Sequence, residues 1–412
     1  MHKLAKMMLT LGVVSAVFAG CNQGYSRNTF APGTIETQAP VTEAVLKKAG
    51  LQLYWKSLSV ALNPNERLNK MYSVGENVYF VTNHKRLIAV DGAIGVYKWS
   101  CPITDGVDDI FGPIHYNSMR ITAKPVTFDQ PVEEKDYITF DAVLINTNSR
   151  LVIINRKNGK VVRNFRFTQP ASSQGTTDGN RYYYSTARKN LLAVKLNTNA
   201  SVWEQSGAEE VTVAPLVIKY GTLYSATFNG VIDSYMCSDV RMKNWTRKLE
   251  GGVLNPYVAD ENRVYVAAQN NCIYVLDKVA GLDAIDPIHL KGRPKGAIQV
   301  TPNSIIQYVE GVGLQAFNKL DGSLRWTKPT ARKAVATIDE KLYILDADNA
   351  LHAVNEISGD VSATIQLTGM KFISMNPQSE IIYAATKTGQ IFCICSKNSP
   401  RLTADMIKQL GS

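Results

Sequence analysis

The chain has 412 residues, 45% of them hydrophobic, with a formal net charge of +10, or +8 once Lys3 and Lys6 are lost with a leader. That hydrophobic share excludes a largely disordered chain, and the length fits either several ordinary domains or one long repeat fold. No run of five basic residues occurs and aromatics are not interleaved with basics, which argues against a nucleic-acid-binding protein and leaves an acidic partner or an anionic surface as the use of the basic excess.

Residues 1–20 read as a signal peptide. Lys3 and Lys6 form a basic start, and Met7 to Gly20 is apolar except for Thr10 and Ser15, too short to span a bilayer. Val17-Phe18-Ala19-Gly20-Cys21 then places a cysteine directly after Ala-Gly. This segment resembles the lipobox of bacterial lipoproteins, with Phe18 where that pattern usually has Leu. The resemblance implies that Cys21 is lipidated and becomes the new N-terminus; the alternative is a plain signal peptide with an incidental cysteine. Asn22 stands where an Asp would favour the inner membrane of enteric bacteria, so the resemblance points to the outer membrane, facing the periplasm. Residues 21–50 read as a lipidated N-terminus and tether, polar and Gly/Pro-rich up to 40, with a short helix predicted from Thr42 to Ala49 before Gly50.

Residues 51–399 carry a repeat. Val78-Tyr79 leads through a turn to Leu87-Ile88-Ala89-Val90-Asp91, then Gly95 and Trp99. Similar units run from Leu223-Tyr224 to Trp245, from Val264-Tyr265 to Gly281, through Leu314 to Asn318, Gly322 and Trp326, and from Leu342-Tyr343 to Gly359. The residue ending each third strand falls at Asp91, Asn155, Lys195, Cys237, Asp277, Asn318, Asn355 and Cys395, with gaps of 64, 40, 42, 40, 41, 37 and 40. A period near 40 with four short strands per unit predicts an all-β, eight-bladed β-propeller. Eight residues beyond these points lie Trp99, Arg163, Trp203, Trp245, Ile285, Trp326 and Ala363, and the last unit has no such strand. Tyr54-Trp55-Lys56 supplies it, so the N-terminal strand is expected to close the ring. All five tryptophans, Trp55, Trp99, Trp203, Trp245 and Trp326, then share one structural slot between blades. The 64-residue gap predicts a surface loop of about 24 extra residues between blades one and two. Residues 400–412 form a C-terminal tail.

Strands ending in Asp or Asn, with Gly four residues on and Trp four further, resemble the PQQ-like propeller repeat; Asp91/Gly95/Trp99 and Asn318/Gly322/Trp326 match it best. With the lipobox, the chain resembles the BamB family, lipoprotein subunits of the outer-membrane β-barrel assembly machinery. The resemblance implies a non-enzymatic scaffold that contacts an envelope protein complex through loops joining neighbouring blades on one face. By repeat position those loops are 206–211, with Glu209 and Glu210 but no Leu or Arg, and 250–253, with Glu250 but no Asp. These three glutamates are the candidate partner-binding residues.

The rival reading is a quinone- or small-ligand-binding propeller with dehydrogenase activity. The resemblance to that class would require adjacent cysteines. Cys393 and Cys395 are separated by Ile394 and face the same side of a strand, and no haem, zinc-protease, nucleophile-elbow or P-loop motif occurs. No cofactor or metal is therefore expected. With Cys21 lipidated, Cys101, Cys237, Cys272, Cys393 and Cys395 remain, an odd number, read as buried inert thiols with room for one disulfide. His84 and His352 read as structural. Lys85-Arg86 and Arg332-Lys333 read as solvated turns.

Overall fold

The computed structural model describes residues 41–57, 60–126, 132–206 and 210–410. Cys21 and Glu209 lie outside them. The described chain is almost entirely β: eight four-stranded antiparallel sheets, seven of them formed from four consecutive strands. Blade one, for example, is Leu68–Val74, Asn77–Thr82, Arg86–Asp91 and Tyr97–Pro102. Blade eight takes Met370–Ile373, Ile381–Thr386 and Ile391–Ser396 from the end of the chain and Leu51–Lys56 from its start. Leu51 pairs with Ser396 and Trp55 with Cys393, so the N-terminal strand closes the ring as expected.

The core is not central. Eight hydrophobic clusters each lie between two consecutive blades, because both faces of every sheet bury an apolar layer against a neighbour. This explains why second and third strands such as Asn77–Thr82 are buried along their whole length.

The tryptophan slot has a specific construction. Asp91 ends a third strand, and its carboxylate accepts the N–H groups of Ala93 and Ile94. Gly95 N–H then bonds back to Asp91 O at 2.8 Å, closing one helical turn. Gly95 sits at φ +71°, and a Cβ there would lie 2.4 Å from the Trp55 ring. Trp55 of the preceding blade rests on this glycine and donates its indole N–H to Gly92 O at 3.0 Å. The same donation runs from Trp99 to Arg156 O, Trp203 to Ser238 O, Trp245 to Lys278 O and Trp326 to Glu356 O. The Asp-to-Gly spacing is thus the seat, and the tryptophan that uses it comes from the blade before.

Three interfaces lack the indole, and each is filled differently. Between blades two and three, Arg163 occupies the slot and the first two strands of blade two, Ile114–Thr122 and Tyr137–Asn146, run long. Their extension buries Met119 and Ile121, and Arg163 donates to Thr122 O and to Ala123 O. Thr122 N–H and Val126 N–H reach Asn197 in the next blade's turn. Much of the extra length predicted as a loop between blades is therefore a folded hairpin within blade two. Between blades five and six, Ile285 and Ile288 lie against Gly322. Between blades seven and eight, the helix Glu43–Lys47 inserts Leu46, flanked by Val41 and Ala49. At the other end of the chain, Leu402 and Ile407 of the segment containing the helix Ala404–Leu410 join the cluster between blades eight and one.

Three further expectations need correction. In blade four the third strand is Val231–Met236, ending one residue before the expected Cys237. In blade eight the turn is formed by Ser396, whose hydroxyl accepts Asn398 N–H, one residue beyond the expected Cys395. Lys85-Arg86 is not a solvated turn: Arg86 grips the buried Glu66 with two guanidinium hydrogen bonds, at 3.0 and 2.5 Å.

Candidate interaction face

In a four-stranded meander, the turn between strands two and three and the connector to the next blade share one end of the blade. Both predicted partner loops are such connectors, and they leave blades three and four on the same face of the ring. In the first, Glu210 is partly exposed and pairs with Lys189 of the blade-three turn at 3.6 Å. The connector is stitched down by Ser172 Oγ donating to Thr212 O at 2.7 Å. In the second, Glu250 is exposed, while Gly251 and Gly252 pass between two turns with no room for a side chain. A Cβ on Gly252 would lie 1.9 Å from Phe228 O. Gln269 N–H donates to Gly252 O at 2.9 Å, fixing the backbone there.

Phe228 joins the two connectors. Its N–H donates to Val211 O at 2.8 Å on one side, and its carbonyl lies against Gly252 on the other. Its side chain is 51% exposed and Val213, on the first connector, is 37% exposed. An aromatic ring therefore stands in solvent between the loops that carry Glu210 and Glu250, an arrangement suited to an apolar anchor with a charged surround. The repeat pattern passed over Phe228, which precedes Asn229-Gly230 in the turn between the second and third strands of blade four. The available signal was a large aromatic at a turn tip, where no core could take it.

Most other chemically equipped residues are tied into packing. Glu76 and Asp141 pair with Arg156 at 3.0 and 2.8 Å, and Tyr79 Oη bonds His115 Nε2 at 2.7 Å. Burial, aided by Arg156 and Lys98, holds the His115 pKa down at about 3, so this imidazole is neutral. Arg156 also carries the carbonyl on which Trp99 docks, so the cluster ties blades one and two together. His84 is exposed, and His352 bonds Thr364 and Asp346 at 2.9 and 3.3 Å. The five described cysteines are all free, and burial pushes the Cys237 thiol up to about 11. Cys393 and Cys395 do share a face of their strand, while Phe392 and Ile394 fill the opposite cluster. Among the described residues no group of three or more His, Cys, Asp or Glu side chains is placed to hold a metal ion.

Comparison with known proteins agrees with the fold. The family described as "Outer membrane protein assembly factor BamB" matches residues 238–405. No curated protein sequence matches the chain. Among solved structures, BamB from Moraxella catarrhalis superposes with a TM-score of 0.60 at 14% identity, covering 85% of this chain and 99% of that one. The C-terminal WD40 domain of Sif2 gives 0.59 at 8% identity, covering 84% and 98%. The computationally designed Ika8 protein gives 0.58 at 10% identity, covering 82% and 98%. At these identities the structural matches speak to architecture alone. The chain is thus an eight-bladed β-propeller whose residues 238–405 match the BamB family model.

Proposed function

We propose that this chain is a non-enzymatic, lipid-anchored scaffold of the bacterial envelope. In this reading Cys21 carries the lipid on the periplasmic side of the outer membrane, and the ring holds a protein of the outer-membrane β-barrel assembly machinery. The observation that carries the reading is the family match over residues 238–405. The leader and cysteine of residues 1–21 support the anchor. The connectors around Glu209, Glu210 and Glu250, with the exposed Phe228 between them, are the proposed contact.

The mechanism is presentation. A closed ring with its apolar layers between blades is stiff, so its connectors are held in place before a partner arrives. Less ordering entropy is then lost on binding. Affinity purification from detergent-solubilised membranes tests the reading. A β-barrel assembly subunit is expected to copurify, and Cys21→Ser is expected to shift the protein from the membrane to the soluble fraction. Recovery only as a free monomer, under conditions that preserve such complexes, contradicts it.

A further inference from the structure

The inner edge of blades five to eight holds a second feature. An open pocket of about 530 Å³ lies along the first strands of blades five, six and seven, with the segment Met375–Gln378 of blade eight as its far wall. That wall is built in. Asn376 N–H donates to Val335 O at 3.1 Å, and Thr337 Oγ1 donates to Pro377 O at 2.7 Å. Gln378 Nε2 reaches across to Val300 O in blade six at 3.2 Å. The floor is apolar, from the buried Ile298 and Val300.

The rim is cationic. Lys295, Arg332 and Lys333 line the pocket and no acidic residue does. Arg332 lies over the Tyr308 ring, which orients its guanidinium. Lys295 pairs with Glu310 at 3.1 Å, but among the described residues neither Arg332 nor Lys333 is ion-paired. Lys333 is partly buried, and that burial lowers its pKa, so a carboxylate placed beside it would meet a poorly hydrated cation. The Arg332-Lys333 pair, predicted as a solvated turn, instead begins the inner strand Ala331–Ile338 and forms one wall.

We propose that this pocket binds an acidic peptide segment of a partner chain, seating one apolar side chain on Ile298 and Val300 and its carboxylates on Lys333 and Arg332. Charge complementarity selects the occupant: a preformed apolar floor beneath two cations without counter-ions favours a ligand with both features. The open, strand-lined wall suits an extended segment. This site is separate from the Phe228 connectors, so either proposal can fail without the other.

The test is fluorescence anisotropy of the purified chain with a fluorescein-labelled peptide, Gly-Glu-Leu-Glu-Gly. Saturable binding is expected, weakened at least about fivefold by Lys333→Met and by replacing both peptide Glu with Gln. Gly for the peptide Leu is expected to weaken it similarly. Ala297→Glu, exposed on the connector that lines the pocket, is expected to weaken binding without affecting folding. Lys157→Met, in a blade-two turn, should leave binding unchanged. The proposal is overturned by no saturable binding up to about 1 mM, a range that covers weak peptide recognition. It is also overturned by equal loss in Lys157→Met, or by N-acetylglutamate displacing the probe at concentrations equal to the peptide's.

Discussion

Ring closure rests on Trp55, and its worth can be worked from its surroundings. The indole lies on Gly95, stands 6.0 Å from the Tyr383 ring, and donates to Gly92 O at 3.0 Å. Truncating a fully buried Trp costs about 3–5 kcal/mol, and Trp55 is only partly buried. Reduced packing loss plus about 1 kcal/mol for the indole hydrogen bond gives about 3 kcal/mol for Trp55→Ala. Gly95→Ala should cost a similar amount by itself. About 1–2 kcal/mol comes from the left-handed backbone at φ +71°, and the rest from a Cβ placed 2.4 Å from the indole. With the indole gone that clash disappears, so Gly95→Ala in the Trp55→Ala background should cost only about 1–2 kcal/mol. Urea unfolding of the parent, both single variants and the double variant measures the coupling. Strictly additive losses would refute the seat, and an unchanged midpoint for Trp55→Ala would refute closure by the N-terminal strand.

The Glu66–Arg86 pair predicts an acid-dependent component of stability. Burial alone would raise the Glu66 pKa, but hydrogen bonds from Arg86 and Asn63 N–H outweigh it and hold the value at about 2. A depressed carboxyl pKa stabilises fully above the unfolded value near 4.3 and loses that contribution as pH falls toward 2. The urea-midpoint gap between parent and Glu66→Gln should therefore shrink from pH 6 to pH 2.5; a constant gap contradicts it. Arg86→Met, which leaves the carboxylate buried and unpaired, should cost about 3 kcal/mol at pH 7 in the same assay. Phe228→Ser should change stability by less than about 0.5 kcal/mol, as at other exposed sites, while lowering recovery of the copurifying subunit severalfold. In Cys21→Ser protein, Ellman's reagent should titrate five thiols after denaturation. Before it, the buried Cys101, Cys272, Cys393 and Cys395 should stay unreactive, and rapid labelling of any of them would show the blade interfaces to be open.

Blade number, strand order and closure were legible because a repeat multiplies weak local signals: the Asp91-Gly95-Trp99 spacing recurs with the turn chemistry that causes it. What stayed hidden was the partner of each tryptophan. The motif places Asp, Gly and Trp in one unit, yet the glycine seats the indole of the preceding blade, a relation between units that spacing cannot carry. The same limit explains Arg163 and Ala363, where the slot was found but the blade-two hairpin that receives Arg163, and the Leu46 that fills the space at Ala363, come from elsewhere in the chain, whereas Ile285 fills its own slot with Ile288. Leu46 meets blade seven across the seam that the N-terminal strand closes. Arg332 and Lys333 look like a surface pair in sequence, because a charged dipeptide at a strand start gives no sign of a pocket beside it. Glu210 and Glu250 were assigned to one face through the resemblance, whereas Phe228 needed the backbone bonds to Val211 and Gly252 to be seen between them.

The scaffold reading is tested most directly by cross-linking in cells. A photoreactive amino acid at position 228, on the connector face, should yield an adduct identified by mass spectrometry as a β-barrel assembly subunit. The same probe at position 157, on the opposite face, should not. Adducts to that subunit from both positions alike, or from neither, would contradict the account.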